Sequence, residues 1–133
     1  MKILVDTSVW SLALRKKPES GSDIETVAKL SELIRDSRAV IIGAVRQEIL
    51  SGISSKERFE LLKTKIRAFE DLPLTTDIYE LAAEFSNTCR SNGIQGSHTD
   101  FLICAAAAGH NVPIYTLDND FEHYRKYIDI KLY

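Results

Sequence analysis

The sequence predicts an α/β fold in which helices cover a parallel sheet. Segments such as Ile3-Leu4-Val5 and Ala39-Val40-Ile41-Ile42-Gly43 are apolar on both faces, as strands buried between two helical layers must be. Longer stretches between them carry apolar residues at helical spacing. The two kinds of segment alternate along the chain, which is the pattern of strand–helix–strand crossovers and parallel pairing. Right-handed crossovers gather the strand C-terminal ends along one edge, where open α/β sheets bind ligands.

The elements follow in order. After the strand Ile3-Leu4-Val5, Thr7 or Ser8 is placed to cap a helix carried by Val9, Trp10, Leu12, Ala13 and Leu14. The run Arg15-Lys16-Lys17-Pro18-Glu19-Ser20-Gly21-Ser22 breaks it. Asp23 is expected to cap the next helix, with Val27, Leu30, Leu33 and Ile34 on one face. The strand at 39–43 leads into a helix over 44–50, stopped by Ser51-Gly52. Ser54 or Ser55 starts a helix bearing Phe59, Leu62, Ile66 and Phe69. Leu72-Pro73-Leu74 reads as an edge strand or a strand start, because proline cannot donate to a ladder. Thr75 or Thr76 caps a helix with Ile78, Leu81, Ala82, Phe85 and Cys89 on one stripe, ended by Asn92-Gly93. Residues 94–99 read as polar loop. Asp100 then opens an alanine-rich helix over 101–108, closed by Gly109-His110-Asn111. A strand over 112–117, the turn Asp118-Asn119-Asp120, a short helix over 121–127 and a last edge strand over 128–133 complete the chain.

The chain has 133 residues, 44% hydrophobic and 27% charged, which suits a single globular domain over 1–133 that buries roughly two thirds of its unfolded surface. A net charge of -2 argues against a broad basic face for nucleic acid. Any such role needs local basic segments, or metal ions that reverse the sign of an acidic site. Cys89 and Cys104 sit in apolar helical patterns without metal-type spacing and read as reduced core residues of a cytoplasmic protein. Asp6 interrupts the opening apolar run too early for a signal peptide, and no run approaches the ~18 residues of a membrane span.

The chemistry lies in the acids at the strand ends. One buried strand runs into Asp6 and another into Asp118 and Asp120; Asp100 opens the helix before the second, and Glu48 lies about one turn into the helix after residue 43. Carboxylates crowded at one sheet edge repel one another and resist ionisation. A hard divalent cation relieves this, and Mg²⁺ or Mn²⁺ takes such oxygen ligands. One or two ions there can activate a water and orient a phosphodiester. Each acid also has a plainer reading: Asp6 as a helix cap, Asp100 as a partner of a helix dipole, Asp118 and Asp120 as an Asx turn, and Glu48 as a solvated helix residue. Only their joint placement lifts the set.

Ile3-Leu4-Val5-Asp6-Thr7-Ser8-Val9-Trp10 resembles the opening of PIN-domain nucleases, in particular the VapC-type toxins of toxin–antitoxin pairs. Val45-Arg46-Gln47-Glu48-Ile49-Leu50-Ser51-Gly52, His98-Thr99-Asp100-Phe101-Leu102-Ile103-Cys104-Ala105-Ala106 and Tyr115-Thr116-Leu117-Asp118-Asn119-Asp120-Phe121 resemble three further segments of that family in the same order. The resemblance implies a three-layer α/β/α sandwich around a central parallel sheet. It implies a Mg²⁺- or Mn²⁺-dependent endoribonuclease with catalytic acids Asp6, Glu48, Asp100 and Asp118. Asp6, Asp100 and Asp118 would hold the metal, Glu48 would complete the site or orient the attacking water, and Thr7 and Asp120 would support the site or contact substrate. Further implied are a homodimer, a cognate VapB-type antitoxin whose tail enters the acidic groove, and a transfer or ribosomal RNA substrate.

The remaining polar residues have plain readings. His98 is a loop histidine within reach of RNA, His110 lies at a helix end and His123 on a surface helix. Arg15-Lys16-Lys17 and the basic residues of 56–67 are solvated charges. A receiver-type signalling domain would need an acceptor aspartate ending the third strand and a lysine ending the last main strand. Leu72-Pro73-Leu74-Thr75 and Ile114-Tyr115-Thr116-Leu117 supply neither. A phosphatase of the DxD class would need a second acid where Ser8 stands. A PIN-like protein that binds or processes RNA outside a toxin system remains open.

Overall fold

The structure is a computed structural model that describes residues 1–15 and 17–133. The reading of Arg15-Lys16-Lys17 falls on Lys16, outside the described residues. Strand β1 (Ile3–Val5) runs into helix α1 (Thr7–Arg15), followed by α2 (Gly21–Arg35), β2 (Ala39–Ile41), α3 (Gly43–Leu50) and α4 (Lys56–Ile66). Then come β3 (Glu70–Asp71), α5 (Thr76–Ser91), α6 (His98–His110), β4 (Ile114–Tyr115) and α7 (Asp120–Tyr124). The strands form one parallel sheet in the order β3-β2-β1-β4, with helices flanking it in the expected α/β/α arrangement. The register sets Leu4 between Val40 and Ile114.

This order has a direct consequence. From β1 the chain winds outward through β2 to β3, then crosses back to lay β4 on the other side of β1. The strand order therefore reverses between β1 and β4. A crevice opens at such a switch point, beyond the carboxyl ends of the strands. Asp6 follows β1 there, and Thr116 and Asp118 follow β4.

The core explains why the central strands carry no polar residue. Ile3, Leu4, Val5, Val40, Ile41 and Ile114 are all fully buried, each contributing about 1.5–3 kcal/mol of transfer free energy. On one side Trp10 is sealed in, its ring centroid 4.6 Å from that of Phe69 and its indole Nε1 donating to the Val5 carbonyl at 3.1 Å. The alanines of α6 lie against the sheet with Ala105, Ala106 and Ala107 buried, their small side chains permitting close approach. Cys89 and Cys104 are free and buried.

Several boundaries differ from expectation, each for an identifiable reason. The third strand is Glu70–Asp71, not Leu72-Pro73-Leu74. Leu72 N–H still reaches the Ile41 carbonyl at 2.8 Å, just past the end of the strand, and Pro73 falls on the outward side of this edge, where its missing N–H costs no ladder bond. Both strand residues are exposed at the sheet edge, where Lys2 pairs with Glu70 and Arg46 with Asp71, so a search for apolar runs passes over them. Thr7 and Ser8 do not cap α1; they begin it, and the Asp6 carbonyl accepts from Val9 and Trp10 amides. Helix α2 is capped by Ser20, whose hydroxyl accepts from Asp23 N–H at 3.1 Å. Asp23 answers by accepting from the Glu19 amide at 3.1 Å. Ser55 and Thr75 cap α4 and α5. Helix α6 starts at His98, inside the segment expected as loop, because Ser97 supplies the cap. It continues through Gly109 and ends at Asn111, which adopts the left-handed conformation with φ 55. The final helix is Asp120–Tyr124 rather than 121–127, and 128–133 contributes only a parallel bridge from Leu132 to Ile114.

Trp10→Phe keeps most of the ring packing but leaves the buried Val5 carbonyl without its indole donor. Urea unfolding followed by far-UV circular dichroism should show a loss of about 1–3 kcal/mol with an unchanged m-value. An unaltered midpoint would show that this bond contributes nothing to the β1–α1 junction.

Candidate active site

Beyond the C-terminal ends of β1 and β4 the chain gathers four hydroxyls and four carboxylates. Asp6 is 5% exposed, so its carboxylate needs partners. Ser8 Oγ donates to Asp6 Oδ2 at 2.8 Å, and Thr116 Oγ1 donates to the same oxygen at 2.7 Å. Each hydroxyl in turn accepts from a backbone amide past β4: Ser8 from Leu117 at 3.0 Å and Thr116 from Asp118 at 3.0 Å. A hydroxyl has one proton to give, so these acceptor contacts point both protons at Asp6. The network ties the end of β1 to the end of β4 through side chains, past the point where the ladder stops.

Asp118 closes an Asx turn, its Oδ1 accepting from the Asp120 amide at 2.9 Å. The turn brings Asp120, at the start of α7, beside Asp118. Asp100 arrives from the first turn of α6, held by the Ser97 cap that accepts from its amide at 3.0 Å. Asp100, Asp118 and Asp120 each offer a carboxylate oxygen within 4.8 Å of the others. Burial raises the Asp100 pKa above its ordinary 3.8; the hydroxyls of Tyr124 and Ser97 pull it down, and Asp6 and Asp118 push it up. Tyr124 OH donates to Asp100 Oδ2 at 2.7 Å. Burial first, then that bond and the charge of Asp100, holds the Tyr124 phenol well above the usual tyrosine range, so its proton stays on the phenol.

The sequence-derived set is thus distributed in a specific way. Asp118 and Asp100 come together. Asp120, expected only in support, joins them directly, because the Asx turn and the helix start place it there. Asp6 is not one of this trio; its Oδ2 is taken by two hydroxyls, and its charge acts on Asp100. Glu48 lies on the exposed face of α3 and shares an open hollow with Ala44, Gln47, Ser51 and Thr99. That places it beside the residue preceding Asp100, but outside the trio. Thr7 Oγ1 is buried and makes no hydrogen bond within the protein, alone among side-chain polar atoms of the described residues. His98 is the exposed first residue of α6. Sequence reasoning overlooked Thr116 and Tyr124. Thr116 could have been noticed as a hydroxyl two residues before Asp118, whereas Tyr124 gave no signal beyond its place in a short helix. Asp71 does end the third strand, as a receiver domain would require, but it lies at the sheet edge paired with Arg46, with β2 between it and β1.

The donor set is all oxygen, with three carboxylates that can approach one point. This fits a hard divalent cation and not zinc or another metal that selects nitrogen or sulfur.

The family model described as PIN domain matches residues 3–127. No curated protein sequence matches the chain. Among solved structures, FitAcB from Neisseria gonorrhoeae superposes with a TM-score of 0.77 at 20% identity, covering 98% of this chain and 96% of that one. VapBC2 from Rickettsia felis, bound to a DNA fragment from its promoter, gives 0.79 at 18% identity over 100% and 98% of the two chains. VapBC-5 from Mycobacterium tuberculosis, a member of the VapBC family of toxin–antitoxin systems, gives 0.68 at 18% identity over the whole of both chains. At these identities the likeness is one of fold.

The raised Asp100 pKa has a consequence for stability. A carboxyl whose folded pKa exceeds its unfolded value stabilises the fold below the unfolded value, and that contribution is lost as pH rises through the folded one. Asp100→Asn keeps an acceptor for Tyr124 and removes the charge. In chelator, its melting temperature should match wild type near pH 3.5 and exceed it by about 1–3 °C near neutrality, the gap opening above pH 3.8. Calorimetry across that range checks it, and a gap that closes with rising pH would contradict it.

Proposed function

This chain belongs to the PIN-domain family, and on that premise we propose that it is a Mg²⁺- or Mn²⁺-dependent endoribonuclease, the toxin of a toxin–antitoxin pair. The reading takes residues 1–133 as one nuclease domain. The observation that carries it is the meeting of Asp100, Asp118 and Asp120 within 4.8 Å at the switch point of the sheet, with Asp6 at the end of the adjoining strand β1. Burial, and then the charges of Asp6 and Asp118, disfavour ionisation of Asp100 in this cluster.

In this reading Asp100 and Asp118 hold the cation with Asp6, directly or through water, and Asp120 adds a fourth carboxylate. A bound divalent cation supplies charge that draws in a phosphodiester and lowers the pKa of a coordinated water. Ser8 and Thr116 give their protons to Asp6 Oδ2, which fixes that carboxylate in place and leaves its other oxygen without a hydrogen bond from the described residues. Glu48, on the exposed side of α3, orients the attacking water or completes the site. Thr7 supports the cleft with its unpartnered hydroxyl. Hydrolysis is in-line, with water as nucleophile and no covalent intermediate on the protein. The substrate is a structured RNA, transfer or ribosomal. The FitAcB and VapBC relatives suggest a small VapB-type antitoxin as partner, and the family suggests a homodimer working in the cytoplasm.

The test is cleavage of structured RNAs in Mg²⁺ or Mn²⁺. Wild type should cut and be silenced by chelator, while Asp6→Ala and Asp100→Ala should each lose at least about 100-fold in rate, the scale of removing a group that supports charge in the transition state. Equal cleavage by all three proteins would overturn the assignment. RNA binding without cleavage would favour a PIN-like RNA-binding role instead.

A further inference from the structure

We propose that Tyr124 is a positioning residue for Asp100 and that Gly96 is glycine in order to leave room for the Tyr124 hydroxyl. The inference rests on the metal-dependent reading above but concerns residues outside the acid set. Tyr124 is fully buried in α7. Its ring is fixed from two sides: the Phe101 centroid lies 5.0 Å away at 45°, and that of Phe121 lies 5.2 Å away edge-on at 68°. A ring so held has little freedom, and its OH ends 2.7 Å from Asp100 Oδ2. Phe101 follows Asp100 in α6, so one helix supplies both the carboxylate and a wall of the slot that seats its partner.

The loop before α6 forms the other wall. A Cβ on residue 96 would lie 2.4 Å from Tyr124 OH, 2.9 Å from its Cζ and 3.0 Å from Phe101 Cε2. Gly96 does not have a positive φ, so the backbone there does not demand glycine. Space demands it: a methyl group would drive the phenol out of its slot and off Asp100. The hydroxyl has one proton, and donating it to Oδ2 restrains the carboxylate's rotation while leaving Oδ1 free of that bond. Partners of this kind, which orient a metal-binding carboxylate without touching the metal, typically change metal affinity 10–100-fold when removed. No part of this depends on the phenol changing its protonation state.

The test compares wild type, Tyr124→Phe, Gly96→Ala and the double variant. Tyr124→Phe keeps both ring contacts and deletes only the donor. Two quantities are read: the Mn²⁺ concentration giving half the maximal thermal shift, and the Mn²⁺ dependence of RNA cleavage. Tyr124→Phe should raise the half-saturating Mn²⁺ concentration about tenfold in both measurements, with the rate at saturating Mn²⁺ falling less than about threefold. Gly96→Ala should move it in the same direction. Added to Tyr124→Phe, it should raise the half-saturation point less than about twofold further, since the hydroxyl it displaces is already gone. A lower melting temperature in chelator with an unmoved Mn²⁺ half-point would assign Tyr124 a packing role and overturn the proposal. Additive effects of the two substitutions would overturn the part given to Gly96. Failure of both single variants to fold would likewise mark the contact as structural. If wild type shows no Mn²⁺ shift and no cleavage, the metal-dependent reading falls, and that outcome is recognised without any variant.

Discussion

The parallel pairing of β1 with β4 brings the amide of Asp6 onto the carbonyl of Tyr115 at 2.9 Å, and the rest of the acidic cleft depends on that contact. It joins residues more than a hundred positions apart and makes them neighbours at the one place where the strand order reverses. Beyond the last ladder bond the side chains take over. Ser8 and Thr116 each accept an amide from the β4 side and give a proton to Asp6, so the junction continues as hydroxyl bridges where the backbone can no longer pair. A slip of one residue in this pairing would turn every inward side chain of β1 outward, and the uniformly apolar Ile3, Leu4 and Val5 would resist it only weakly. The hydroxyl bridges are what distinguish the correct register.

The cleft is built against its own electrostatics. Burial and the neighbouring acids disfavour the charge on Asp100, while two hydroxyls favour it. The protein answers repulsion with fixed donors and no basic side chain enters these contacts: Asp6 receives two hydroxyl protons, Asp100 receives the Tyr124 phenol, and Asp118 receives the Asp120 amide. Donors of this kind hold carboxylates in place without neutralising them. The site therefore keeps a negative charge that a divalent cation, and not a lysine or arginine, is suited to complete.

How much was legible beforehand can be argued residue by residue. Ile3-Leu4-Val5 read correctly, and the strand expected over 39–43 is Ala39–Ile41, two residues shorter; a strand covered on both faces has no alternation to confuse it. Caps at Ser55 and Thr75 were among the residues named, since a hydroxyl before an apolar helical stripe has a local cause. Glu70–Asp71 was missed because an edge strand's polarity reflects its exposure, and Leu72 beside it drew attention one residue too far. Ser20 and Ser97 were missed because the acid three residues on was the more visible signal, and in each case that acid supplies the amide the cap accepts.

The sequence by itself determined the alternation of strand and helix, the burial of the central strands and the placement of acids at strand ends, all properties of residues within one turn or one strand of each other. Only the tertiary structure decided which acids meet. Asp120 reaches Asp100 because an Asx turn and a helix start fold it inward, and Asp6 is tied to the β4 side because Thr116 and Ser8 hold one of its oxygens. Tyr124 and Gly96 belong to the same class, since a phenol over a carboxylate and a missing Cβ under the phenol carry no local pattern. Their spacing is set by how α6 and α7 pack at the end of the sheet, and packing between distant segments leaves no periodicity for a sequence to display.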